Sequence, residues 1–204
     1  MIDLYSVPTG NGQKAHIMLE ECGLPYKPHL VDLKAGAHRQ ADFLKLNPNA
    51  RVPVIVDHDA GGFVVGESLA ILTYLAEKSG KFMPKDAKGR SLVLQWLSSV
   101  ASNIGPLFRG VFVFSHVVPG KHDETIAYFK AEIDKAYAML DKELADRPYL
   151  AGDEYTIADI SAYPNVTTTA FMSLRGYEPF PNLKKWADKI GERPAVQRGL
   201  KLFK

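Results

Sequence analysis

Apolar and polar residues alternate from Met1 to Tyr5 and give way to Val7-Pro8-Thr9-Gly10-Asn11-Gly12, a run of turn formers, so a strand is expected to lead into a loop. From Gln13 to Cys22 the period lengthens. Ala15, Ile17, Met18, Leu19 and Cys22 recur at helical spacing, and Gly23 before Pro25 supplies a stop. A second strand is expected over 26–33 and a short helix over 39–46. The β-branched run Val52-Pro53-Val54-Ile55-Val56-Asp57, the turn Gly61-Gly62 and the return Phe63-Val64-Val65-Gly66 predict an antiparallel hairpin. Leu69, Ile71, Leu72, Tyr74, Leu75 and Ala76 then follow helical spacing over 67–78 and close at Ser79-Gly80. The predicted order is βαβαββα.

Beyond Lys81-Phe82-Met83-Pro84-Lys85-Asp86 the pattern changes. Long helical periods replace strands, with helices expected over 91–113, 123–144, 157–174 and 183–190. The chain is therefore expected to divide into an α/β domain at 1–80, a linker at 81–86 and an all-helical bundle at 87–204. Within the bundle, Thr156-Ile157-Ala158-Asp159 carries a hydroxyl followed three residues later by an acid, the pattern of a capping box ahead of an apolar helix. The stretch 112–122, with Pro119-Gly120, is expected to be a mobile loop or a helix break.

Composition narrows the function classes. With 204 residues and 46% apolar content the chain can bury one large core or two modest ones. Its net charge is +2, with 25 basic and 23 acidic residues scattered along it, which disfavours a nucleic-acid surface and favours a small-molecule or protein partner. Asp3 lies where a signal peptide would be basic, and no apolar run approaches the ~20 residues of a membrane span. A soluble cytoplasmic protein is expected. The single cysteine, Cys22, rules out a disulfide or a Cys-x-x-Cys dithiol within the chain; its place on the apolar face with Ile17, Met18 and Leu19 favours a core role. His16, His29, His58 and His122 have no ligand spacing, so no metal is expected.

Two local features suggest ligand chemistry. In Val52-Pro53 an X-Pro bond opens a strand, where a cis peptide would turn the preceding N–H and C=O outward to pair with an extended peptide. Gly66-Glu67-Ser68 ends a loop at a helix start, where free N–H groups, the helix dipole and the Ser68 hydroxyl favour a carboxylate ligand; ordinary helix capping is the competing reading.

The segments Thr9-Gly10-Asn11-Gly12-Gln13-Lys14, Asn47-Pro48-Asn49-Ala50-Arg51-Val52-Pro53-Val54-Ile55-Val56-Asp57 and Glu67-Ser68-Leu69-Ala70-Ile71-Leu72-Thr73-Tyr74-Leu75 resemble the glutathione transferase superfamily. The Thr-x-Asn-Gly loop, the Asn-Pro-Asn run and the Glu-Ser pair are similar to its bacterial Nu-class and fungal Ure2-like branch of glutathione-dependent disulfide-bond oxidoreductases. The resemblance implies a thioredoxin-like N-terminal domain, an all-α C-terminal domain, glutathione as substrate or co-substrate and a homodimer. It places Thr9 and Asn11 beside the glutathione sulfur, Val52 and a cis Pro53 on the peptide backbone, Glu67 and Ser68 on the γ-glutamyl end, and Arg51 and His38 on the glycyl end. Donors from Thr9, Asn11 and the following helix N-terminus would favour thiolate over thiol.

Other branches activate the thiol with a tyrosine or serine near this position, which draws in Tyr5 and Ser6; the strand pattern around Tyr5 favours packing. For a second-substrate pocket the candidates are Asn103, Phe108, Arg109, Phe112 and, with Phe114 nearby, the first long helix of the bundle. Lys130 stands in the region where the branch places a basic residue near a second glutathione. The resemblance leaves open disulfide reduction, glutathione conjugation to apolar electrophiles, peroxide reduction, and a non-catalytic dimerisation or regulatory role.

Overall fold

The computed structural model describes residues 1–167, 174 and 176–203. Packing divides the chain into two compact units, Met1–Met83 with Glu192–Lys204, and Pro84–Gly191.

In the first unit β1 (Ile2–Ser6) leads through the loop to α1 (Gly10–Cys22), β2 (Tyr26–Leu30), a 3-10 turn (Ala37–Arg39) and α2 (Ala41–Leu46). β3 (Val54–Asp57), β4 (Phe63–Gly66) and α3 (Ser68–Ser79) follow, so the βαβαββα order holds and the fold is thioredoxin-like. The sheet runs β2-β1-β3-β4, with β1 parallel to β2 and the other pairs antiparallel. α1 starts three residues earlier than the apolar period suggests, because the Thr9 hydroxyl caps it by accepting from Gly12 N at 3.4 Å.

The residues 192–204, expected in the helical domain, belong to the first unit. They hold a further helix, α9 (Pro194–Lys201), which is short and has Val196 and Gly199 buried. Gly199 lets it approach α1 closely, since a Cβ there would stand 2.8 Å from Ile17 N and Cα. Two ion pairs hold the contact: Arg193 to Glu21 through Nε at 2.6 Å and Nη2 at 2.8 Å, and Arg198 Nε to Glu20 at 2.6 Å.

The second unit is all-helical: α4 (Ala87–Ser99), a π-helical turn (Val100–Ile104), α5 (Gly105–His116), α6 (Asp123–Glu143), α7 (Ile157–Thr167) and α8 (Pro181–Gly191). The expected helix over 157–174 is seen through Thr167, and 168–173 lie outside the described residues. By length and composition the 30-residue helix Ala87–His116 is apolar enough to cross a membrane. The expectation that no uninterrupted apolar run approaches a membrane span concerned consecutive residues, and polar residues such as Gln95, Asn103 and Arg109 interrupt this stretch. Its buried positions Val93, Trp96, Leu97, Val100, Ile104, Phe108 and Val111 recur at helical spacing, the stripe that packs a helix into a bundle core.

The predicted capping box forms and does more than cap. Asp159 is fully buried at the start of α7 and accepts from Thr156 N at 3.0 Å and Thr156 Oγ1 at 3.3 Å, from Leu150 N at 2.9 Å and from Trp186 Nε1 of α8 at 2.9 Å. Burial pushes its carboxyl up, while the bonds from Leu150, Trp186 and Thr156 pull it back.

Candidate active site

Strand register gathers the first unit's predicted residues at one end of the sheet. Tyr5 pairs with Val54, and Val54 pairs with Gly66. The loop after β1, the Val52-Pro53 step before β3 and the Glu67-Ser68 step after β4 therefore share that end. β2 ends there too, with Val31 N donating to Ser6 O at 3.1 Å, and leads on to His38. Beneath them Val7, Val31, Phe43 and Val54 form a buried apolar cluster, with Tyr5 and Val52 packed on it.

Thr9 and Asn11 are exposed at the mouth of α1. The Thr9 hydroxyl accepts from Gly12 N, which leaves its own hydrogen to donate outward. Gly12 is required below them, since a Cβ would run into the Val7 carbonyl oxygen and lie 2.7 Å from Ser6 Oγ. Ser6, fully buried, is bonded to His16 Nε2 at 2.8 Å; burial pushes His16 down to about 4 and keeps its imidazole neutral. The loop thus stands on a buried Ser6–His16 pair.

The Val52-Pro53 peptide is cis. Among the described residues neither the N–H nor the C=O of Val52 has a hydrogen-bond partner, which leaves both to an incoming extended chain. The loop ahead of it is clasped by Asn47, only 6% exposed, whose Nδ2 donates to Arg51 O at 2.9 Å and whose Oδ1 accepts from Asn49 N at 3.0 Å. Arg51 itself is exposed. Glu67 sits at φ 62°, ψ 119°, a conformation that costs a non-glycine residue of order 1–3 kcal/mol. Among the described residues no side chain caps α3, which leaves the first N–H groups of that helix without a side-chain partner; Glu67 beside them is exposed and Ser68 is buried. His38, in its 3-10 turn, has a buried Nδ1 with no hydrogen-bond partner among the described residues.

Tyr5 stacks on the His29 ring at 4.6 Å and meets Phe43 edge-on at 6.5 Å, so its ring is held by packing. Cys22 is buried, with Sγ 3.3 Å from Ser79 Oγ, and burial pushes its thiol up, as suits a core residue. No group of three or more His, Cys, Asp or Glu side chains converges as a metal site among the described residues.

The second unit spreads its five candidates. Asn103 lies in the π turn, exposed, in a groove of about 420 Å³ with Gln95, Trp96, Ser99, Met139 and Glu143. Arg109 and Phe112 lie on the exposed side of α5, and Lys130 is half-buried on α6. Phe108 departs from the pocket reading: it is 5% exposed and packs on Tyr137 at 6.2 Å in the core.

Two residues that position this end of the sheet were not singled out from the sequence. Asn47 was read only as part of its motif. Lys14 lies one turn behind Asn11 at i,i+3, a spacing that brings helical side chains together and was the available signal.

Glutathione transferase sequence profiles match both parts of the chain: the N-terminal domain over residues 11–78 and the C-terminal domain over 106–194. The chain belongs to the glutathione transferase family. It is 38% identical to disulfide-bond oxidoreductase YfcG of Escherichia coli K12 over 206 residues, covering 98% of this chain and 94% of that protein. It is similar to a glutathione transferase family member from Pseudomonas fluorescens solved with two glutathiones bound, at TM-score 0.92 and 37% identity over 98% of this chain and 92% of that one. A fungal relative, URE2P6 of Phanerochaete chrysosporium in complex with oxidised glutathione, matches at TM-score 0.92 and 33% identity over 99% and 96% of the two chains.

Proposed function

We propose that the protein is an enzyme that binds glutathione at this end of the sheet, stabilises its thiolate and uses it to reduce disulfides. The observation that carries the reading is the convergence of three complementary groups of donors and acceptors on one tripeptide-sized edge. The α3 N-terminus with Ser68 and Glu67 takes the charged γ-glutamyl end. The unpaired Val52 N–H and C=O, turned out by the cis Pro53, pair with the cysteinyl backbone. Thr9 and Asn11 donate to the sulfur, with Arg51 and His38 set for the glycyl carboxylate. The naming of YfcG as a disulfide-bond oxidoreductase and the glutathione-bound relatives support the same reading.

In the reaction the bound thiolate attacks one sulfur of a disulfide, forming a mixed disulfide with glutathione and expelling the other sulfur as thiolate, which takes up a proton. A second glutathione thiolate then attacks the mixed disulfide at the glutathione sulfur, releasing glutathione disulfide and the second reduced thiol. With Cys22 buried, both sulfurs that do the chemistry come from glutathione. Conjugation to apolar electrophiles finds less support, because Phe108 is spent on the core. Turnover of hydroxyethyl disulfide with glutathione, faster than turnover of chlorodinitrobenzene, is the test; no disulfide turnover refutes the reading.

Ser68→Ala removes one hydrogen bond to a charged ligand, worth about 1.5–3 kcal/mol, so the Kd for glutathione is expected to rise about 10- to 100-fold in calorimetric titration, with kcat little changed. We place the enzyme in the cytoplasm, a reducing compartment that holds glutathione as thiol. We also propose a homodimer, supported by exposed apolar side chains such as Phe63, Leu94, Phe112 and Tyr128, and sedimentation at the mass of two chains would support it.

A further inference from the structure

We propose that Lys14 is the positioning residue of the thiol site, holding the Asn11 carboxamide by its oxygen so that its NH2 faces the glutathione sulfur. The inference rests on the reading of Asn11 as a sulfur donor.

Lys14 is 2% exposed, while Asn11, one turn ahead, is exposed. Lys14 Nζ lies 3.0 Å from Asn11 Oδ1. An asparagine side chain presents an acceptor at one end and two donors at the other, and the two ends have nearly the same shape. Only a bonding partner decides which end points out. A cation behind the oxygen fixes the donor end toward the solvent-facing side, where a thiolate needs it.

A buried lysine is expensive, and this one has no ion pair with a carboxylate among the described residues. The elements packed against α1 are α3 and α9. Their charged groups are engaged elsewhere or exposed: Lys78 with Asp57, Arg193 with Glu21, Arg198 with Glu20, and Glu77 and Lys201 on the surface. His16, two residues on from Lys14, is neutral. The cost therefore falls on Lys14 itself, whose ammonium is pushed down to about 7 by burial. A simple packing role would be met by methionine or leucine without that cost. The amine remains a donor when neutral, so the orientation of Asn11 persists, while its polarisation by the charge varies around neutral pH.

The sign of the stability effect follows. The unfolded chain keeps the Lys14 proton up to about 10.5 and the folded chain releases it near 7, so unfolding takes up a proton between these values. Stability contributed by this site rises as pH climbs from 7 to 10.

The test uses the full chain with Lys14→Met and, should that variant fold poorly, Lys14→Gln. The Asn11 side-chain NH2 pair in nitrogen–proton NMR spectra is expected to shift with a midpoint near pH 7 in the wild type and to lose that titration in the variants. In the disulfide assay Lys14→Met should lower kcat about 10-fold with KM for glutathione changed less than about 3-fold, and Asn11→Ala/Lys14→Met should be no slower than Asn11→Ala alone. Additive losses, or an Asn11 amide that does not follow the Lys14 titration, overturn the proposal. If the NMR titration is present but Asn11→Ala leaves disulfide turnover intact, the contact stands and the reading of Asn11 as a sulfur donor fails instead.

Discussion

Asn11→Ala is expected to lower kcat for disulfide reduction about 100-fold at neutral pH, the loss typical of removing one preorganised donor from a developing or localised negative charge. The amide sits exposed at the first turn of α1, backed by Lys14 and set beside the free hydrogen of Thr9. Its removal leaves the anchoring proposed for Val52 and the α3 N-terminus untouched, so the Kd for glutathione should change less than about 3-fold. The bound thiol should titrate at higher pH than in the wild type, read as thiolate absorbance near 240 nm across a pH series. Thr9→Ala should act in the same direction but also cost about 1 kcal/mol of stability, because the hydroxyl caps α1. Thr9→Ser separates the two losses by keeping the oxygen. Equal falls in glutathione binding and in kcat for Asn11→Ala would show that the amide anchors the tripeptide and has no special effect on its sulfur.

The second large effect is expected in the helical unit, far in sequence from the thiol loop. Asp159→Ala removes the acceptor for four donors, two of them main-chain N–H groups and one the Trp186 indole, all in a buried setting. Each donor stranded without a partner costs of the order of 1–3 kcal/mol, and such losses overlap, so a net destabilisation of about 4 kcal/mol is expected in urea unfolding. For a chain of this size that corresponds to a fall in Tm of about 8–16 °C. Asp159→Asn keeps one acceptor oxygen and turns an NH2 against the other two donors, so it should fall between the wild type and Asp159→Ala. An Asp159→Asn protein as stable as the wild type would show that the carboxylate is not what holds α7 to the Leu150 loop and α8.

Much of this was legible in the sequence because it is carried by local rules. Alternation and β-branching marked β1, β3 and β4, and helical periodicity marked α1 and α3. The hydroxyl-to-acid spacing of Thr156 and Asp159 marked a helix start. It could not show that Asp159 would also serve Trp186, 27 residues away, because that bond exists only once α8 packs on α7. α9 was missed because it is only eight residues long, too short for its one-sided apolar pattern to stand out, and its place is set by close approach at Gly199 and by arginine pairs to Glu20 and Glu21. Phe108 illustrates a different ambiguity. An aromatic residue on an apolar helix reads alike whether it faces a pocket or the core, and contact with Tyr137 decided for the core.

The sequence by itself determined the strand and helix order of the first unit, the cis-competent Val52-Pro53 step, and the residue types proposed to hold a tripeptide and its sulfur, since each follows from backbone preference or side-chain chemistry within a few residues. Only the tertiary structure decided that Thr9, Val52, Glu67 and Ser68 stand at one end of a single sheet, because register between strands far apart in the chain fixes it. It alone decided, too, that Lys14 would be buried behind Asn11 with no carboxylate to pair with among the described residues: a lysine in a sequence is a surface charge until packing takes its water away.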